Sequence, residues 1–329
     1  MATEVDEALY DALEAGDPDA VRRALAAGAD PDGEHYNESP LTFLCRYAAR
    51  GDTFIATEGA NPGDPVACLA ALLESAASPN IVRNPGVTTD HDGFFPPLYF
   101  AAQQTRFPEL VSLLLEANAD VNIAMIHIEG ESYTFHGATP LHQAVYSGSI
   151  RTVKALLAAG AAVDVRRGPK RQTELHEAAS CGRRGYPIGG WRPNGGGPIA
   201  GPLRPAFLRE TVDMIKALLA AGADVNARDS EGKTPLAASI DENEMAGADI
   251  SCVYSALLRA GATLPPYVPD DEGDEEDPYL HKVRRAGGFR QYETQVTKSL
   301  AEIFEPKFPK LPAEVIQTIV AFWAHVGDY

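Results

Sequence analysis

Residues 139–164 read TPLHQAVYSGSIRTVKALLAAGAAVD, and this stretch decides the fold. The Thr139 hydroxyl can cap a helix, and Pro140 at the first helical position gives up an amide that had no partner there anyway. Leu141, Ala144 and Val145 then share one face of a first helix. Ile150, Val153, Leu156 and Leu157 recur at helical spacing in a second. Gly160 ends the second helix, because glycine enters the left-handed conformation of a helix C-cap without steric cost. Neither helix can bury its apolar face alone, so the unit is stable only when stacked on others like it.

The chain supplies those others. Relatives of TPLH stand at 39–42 (SPLT), 96–99 (PPLY), 173–176 (TELH) and 234–237 (TPLA). A second pattern trails them: LLESAASPN at 72–80, LLLEANADVN at 113–122, LLAAGAAVD at 156–164 and LLAAGADVN at 218–226. A worn copy opens the chain, with ALAAGADPD at 24–32 behind a helix near Glu7–Glu14. Thr139 and Thr173 are 34 residues apart. Both motifs at this spacing resemble the ankyrin repeat, a unit of about 33 residues made of two antiparallel helices and a β-turn finger. The resemblance runs over residues 1–264 and implies an all-α solenoid of about six repeats, near 5–33, 34–83, 90–123, 134–166, 168–227 and 229–264, with β-hairpin fingers. It also implies that His142 and His176 are structural, tying neighbouring turns by hydrogen bonds.

With 329 residues, a formal charge of −18 and 45% hydrophobic residues, the composition is that of a globular protein. The net negative charge argues against nucleic acid, whose phosphates need clustered Lys and Arg. The amino end is acidic and helical from the start, and no 18-residue apolar run appears, so a cytoplasmic or nuclear monomer without membrane contact is expected. Cys45, Cys68, Cys181 and Cys252 form no CxxC pair, which points to reduced thiols rather than zinc or disulfides. His127, Glu129, Glu131 and His136 lack the spacing of a metal site. No catalytic constellation is found, and no cofactor, metal or enzymatic activity is expected.

Departures from the repeat are the places where function is sought. Gly, Asn and Pro mark a loop insertion near 52–64. A long finger at 81–95 ends in Phe94 and Phe95, and the alternation around Glu129-Gly130-Glu131 predicts an extended β-hairpin finger. The largest insertion, 182–205, holds eight Gly, five Pro and four Arg without an acid. Its composition excludes helix and regular strand, and it is either functional or disordered.

By resemblance, a protein partner is expected on the finger tips and the exposed side of each first helix. Aligning the repeats places Tyr36, Arg46, Tyr47, His91, Phe94, Gln103, Phe135, His136, Tyr146, Lys170, Gln172 and Asp241 there, an aromatic-rich set suited to a protein interface. An acidic linker spans 265–280, and a helical segment at 281–329 follows. In the latter, LPAEVIQTIVAFW at 311–323 is similar to the opening of an F-box and to the truncated F-box-like ends of viral ankyrin proteins. That similarity implies recruitment of a Skp-type ubiquitin-ligase adaptor through Leu311, Pro312, Ile316, Ile319 and Trp323. The same apolar face can instead cap the last repeat together with the helix near Tyr292–Phe304. Two functions are therefore carried forward: a binding module without catalysis, and a substrate-recognition subunit of a cullin-type ligase.

Overall fold

The computed structural model describes residues 4–33, 38–49, 63–81, 93–103, 106–127, 136–180, 205–246, 250–267, 277–307 and 311–320, the last without 313 and 317. The insertions near 52–64 and 182–205 lie outside these, apart from their last residues, as do Cys181 and the turn of the hairpin at 129–131. Twelve helices pair into six units: α1 (Glu4–Ala15) with α2 (Pro18–Ala26), α3 (Pro40–Ala49) with α4 (Pro65–Glu74), α5 (Pro97–Gln103) with α6 (Glu109–Glu116), α7 (Pro140–Ser147) with α8 (Ile150–Ala158), α9 (Glu174–Ala179) with α10 (Pro205–Ala220), and α11 (Pro235–Ala246) with α12 (Ser251–Arg259). First helices stack on first helices along the array, α1 on α3 and so on to α11, and second helices stack likewise from α2 to α12. The apolar faces read from the sequence fill the space between the two stacks: Leu141, Ala144, Val145, Val153 and Leu156 are all buried in one continuous core.

Each second helix ends the same way. The residue after the cap takes a left-handed conformation at Gly28, Ala76, Asn118, Gly160, Gly222 and Gly261. The alanine that follows donates its N–H back across the last turn, as Ala161 does to the Leu156 carbonyl at 2.9 Å and Ala77 to Leu72 at 3.1 Å. A Cβ at Gly28, Gly160, Gly222 or Gly261 would meet nothing within 4 Å, so what selects glycine is backbone strain rather than space. Ala76 bears that strain at φ 63°. Ala76→Gly is therefore expected to stabilise the chain by about 0.5–1 kcal/mol, the relief exceeding the added entropy of the unfolded chain. The midpoint of urea unfolding reads this directly.

The last residue of each trailing motif joins repeat to repeat. Asp32 accepts the N–H of Ser78 at 2.8 Å, Asn80 that of Asp120 at 2.6 Å, Asn122 that of Ala162 at 2.7 Å, Asp164 that of Asp224 at 2.8 Å and Asn226 that of Thr263 at 2.8 Å. Asn or Asp recurs at this position because a short side-chain oxygen satisfies a turn amide that no helix reaches.

The described parts of the fingers are mostly turns. The finger at 124–138 is held at its base by Met125 and Gly137, with Met125 N–H donating to the Ala138 carbonyl at 2.8 Å and Gly137 N–H to the Met125 carbonyl at 2.9 Å. Its strand β2 (Ile126–His127) also pairs antiparallel with β1 (Gly93–Phe94) of the preceding finger, Gly93 opposite His127 and Phe94 opposite Ile126. Two neighbouring fingers thus share a small sheet, a pairing between distant segments that alternation within one segment does not reveal.

Beyond the last repeat come α13 (Pro278–Arg285), α14 (Phe289–Phe304) and a short 3-10 turn (Glu305–Lys307). Leu280 and Val283 of α13 are buried in the main core, with Tyr279, Phe289 and Tyr292 packed around them. Tyr254 of α12 lies 6.5 Å from Tyr279, and Arg259 donates to Glu293 of α14 at 2.9 Å. The cap on the array is accordingly α13 with the first half of α14. The segment at 311–320 instead packs Ile316 and Val320 on Leu300, Ala301 and Phe304, a separate cluster at the far half of α14.

Candidate interaction surface

One slot recurs in repeats two to six, six residues after the start of each first helix, in a row along the stacked first helices: Arg46, Gln103, Tyr146, Ser180 and Asp241. Tyr146 is 42% exposed at the centre of this row, with exposed Gln103 on one side and half-buried Ser147 beside it. The ends of the row are already engaged by the chain itself. Arg46 forms an ion pair with Glu38 at 2.6 Å, and the Tyr47 hydroxyl donates to Glu14 at 2.6 Å while its ring stacks on Phe43.

At the other end, Lys170 reaches Glu231 at 3.4 Å, and Lys233 bridges Glu231 at 3.0 Å and Asp241 at 2.5 Å. The Lys233 ammonium beside them holds the Glu231 carboxyl below its usual range, and Asp241 with Glu231 holds the Lys233 ammonium above its own. These groups are exposed, so the pairs contribute little to stability, and their effect is to fix side chains on the finger tips. Among the expected contact residues, Arg46, Tyr47, Lys170 and Asp241 therefore stand in internal pairs. Gln172 and His136 are half-buried, and the Gln172 carbonyl accepts the Arg167 N–H in the bridge that closes the fifth finger. Phe94 is placed only by its backbone in β1, while Tyr36, His91 and Phe135 fall outside the described residues.

The two imidazoles of the TPLH-like motifs are buried, and each Nδ1 closes a capping box with the threonine that starts its helix. His176 also contacts the Lys233 carbonyl through Nε2 at 3.0 Å, joining the fifth repeat to the sixth. His142 instead has Oε1 of Glu174 3.2 Å from its Nδ1. Arg167 and Glu177 form a buried ion pair beside them, each 7% exposed. Glu174 was readable only as one more helix start, since burial at that position depends on the preceding repeat.

At the C-terminal end, Leu311, Val315 and Ile319 are about 40% exposed and Ile303 is 53% exposed. Pro312 is exposed as well, Trp323 falls outside the described residues, and Ile316 turns inward at 3% exposure. The single apolar face read from the sequence is thus split, and Ile316 packs on its own chain. Cys45 and Cys68 are buried, and burial pushes both thiols up to about 12. Among the described residues no group of three or more His, Cys, Asp and Glu is placed to hold a metal ion, and no helix is long and apolar enough to cross a membrane.

This stacking of paired helices with turn fingers is an ankyrin array. The family model for ankyrin repeats in three copies matches residues 53–167 and 98–186, and the chain carries ankyrin repeats. It is similar to human ankyrin repeat and SOCS box protein 16, at 25% identity over 244 residues, 70% of this chain and 51% of that protein. It is also similar to the mouse B-cell lymphoma 3 protein homolog, at 25% identity over 67% of this chain and 36% of that one. The chain thus spans about half the length of the first relative and about a third of the second. Among solved structures, the human ASB11 ankyrin repeat domain superposes with a TM-score of 0.50 at 22% identity, covering 81% of this chain and 88% of that one, which establishes the fold. An array of this kind is a protein-interaction module.

Proposed function

We propose that this protein binds a protein partner on the side of the stack where the first helices are exposed, without performing chemistry, and that the centre of that side carries the affinity. The observation behind this reading is the exposure of Tyr146 amid positions whose charged neighbours are neutralised internally. An aromatic anchor inside a ring of pre-fixed polar groups binds strongly because little side-chain freedom is left to lose. Affinity capture with the intact chain, followed by titration of the recovered partner, tests this. Tyr146→Ala is expected to weaken that partner at least about tenfold, whereas Lys170→Ala, at the rim, changes it by less than about threefold. Equal binding by Tyr146→Ala would remove the groove from the reading.

The exposed Leu311, Val315 and Ile319 favour a second reading, in which the tail recruits a ubiquitin-ligase adaptor while the array selects the substrate. Replacing Val315 and Ile319 with aspartate in the intact chain should then release cullin and adaptor but retain the groove's partner. Recovery of both with either bait would leave the binding module alone.

A further inference from the structure

Four of the first helices begin with proline: Pro40, Pro97, Pro140 and Pro235. Of the other two, α1 begins with Glu4 and α9 with Glu174, whose side chain is 1% exposed and lies against His142 of α7. The Glu174 carboxyl oxygens are buried and met by the backbone N–H groups of Glu174 and Asp164 rather than by a side-chain donor, and Asp164 Oδ1 and His142 Nε2 are buried at the same interface between repeats four and five.

The hydrogen-bond pattern around His142 sets the protonation of the pair. Thr139 donates its N–H to Nδ1 at 3.4 Å, and its hydroxyl, which accepts the His142 N–H at 3.4 Å, lies 3.0 Å from the same nitrogen. Nδ1 is therefore the lone-pair side of the ring. Glu174 Oε1 sits 3.2 Å from that lone pair. An ionised carboxylate there would set lone pair against lone pair at a position buried from solvent, offset only by the backbone N–H groups of Glu174 and Asp164, whereas a carboxylic acid donates its O–H and makes a bond.

We propose that Glu174 and His142 form a proton-controlled joint between the fourth and fifth repeats, closed while Glu174 keeps its proton and loosened when it loses it. The other groups facing the pair fit this role. From the fifth finger come Asp164 and Arg167, and from α9 itself Glu177 and His176. Tyr99 on α5 and Tyr146 on α7 act electrostatically on Arg167. Arg167 is paired with Glu177, and its effect on the Glu174 carboxyl is smaller than that of burial. Burial pushes the Glu174 carboxyl up to about 8, aided by the Asp164 charge and opposed by the backbone N–H groups of Glu174 and Asp164 and by Arg167. Burial, with Arg167, pushes His142 down to about 3, so the ring stays neutral throughout the range in question.

The direction follows from linkage. The folded chain holds the Glu174 proton up to about 8 while the unfolded chain releases it near 4.5, so this stabilisation is complete below about 4.5 and is lost progressively as pH rises to and through 8. Between pH 7 and 9 the ratio of closed to open chains is expected to fall about tenfold. In a linear array each interface contributes separately, so the loss is felt at the joint first.

The test compares the intact chain with Glu174→Gln, which keeps the size, offers an N–H to Nδ1 and cannot titrate. Urea unfolding from pH 6 to 9, with hydrogen exchange of α7 and α9 against α1 to α3 as internal reference, is the readout. The proposal requires the native chain to lose about tenfold more between pH 7 and 9 than Glu174→Gln, with protection falling at α7 and α9. Parallel pH profiles of the two chains overturn it. Should Glu174→Gln fold poorly, Glu174→Pro, which restores the residue of the other four helices, serves as the non-titrating reference under the same criterion.

Discussion

Arg167→Ala is expected to lower the stability of the array by about 3–5 kcal/mol, among the largest effects of any single substitution in this chain. The Arg167 guanidinium is held by the Glu177 carboxylate, and both side chains are 7% exposed. Removing the arginine leaves Glu177 charged at a largely buried position without its ion-pair partner, and most of the cost is that of keeping the ion desolvated. Replacing both partners with apolar residues of similar size, Arg167→Met with Glu177→Leu, is expected to recover most of the loss, because neither ion then needs desolvation. Chemical denaturation of the two single variants and the double variant measures this. A double variant no better than Arg167→Ala would locate the contribution of Arg167 in its finger rather than in the pair.

The second large effect belongs to the cap. Leu280 is 2% exposed and Val283 fully buried, and both close the main core beyond α12. Leu280→Ala is expected to cost about 2–5 kcal/mol, and ending the chain at Asp270 to cost more, since Tyr254 and Leu257 would then lose cover. Ile316→Asp, in the separate cluster on the far half of α14, is expected to leave the melting of the array unchanged. Thermal unfolding of the three proteins distinguishes the two parts of the tail. If Ile316→Asp lowers the array's melting as far as Leu280→Ala does, the last segment is part of the cap after all.

These expectations also mark how far the sequence could be read. The cores of the six repeats were legible because their apolar spacing is local: Leu141, Ala144 and Val145 point one way on any helix they form. The candidate surface was legible by position and not by state. Alignment of repeats places Arg46, Tyr47, Lys170 and Asp241 on the exposed side, but Glu38, Glu14, Glu231 and Lys233 engage them, two of these, Glu14 and Glu231, from outside the residue's own helix and finger. A signal was present in Glu14 and Tyr47, 33 residues apart and so about one repeat from each other.

What the sequence determined by itself is the repeating unit: proline and threonine starting one helix, glycine ending the next, and apolar residues at helical spacing that oblige each unit to stack. Each of these acts through backbone conformation or helical period within a few residues. Only the tertiary structure decided which helices form the cap, that Ile316 faces inward, and that a glutamate replacing a proline lies buried against His142. Those outcomes depend on desolvation, and the solvation of a side chain is set by the neighbours that stacking brings to it from another repeat.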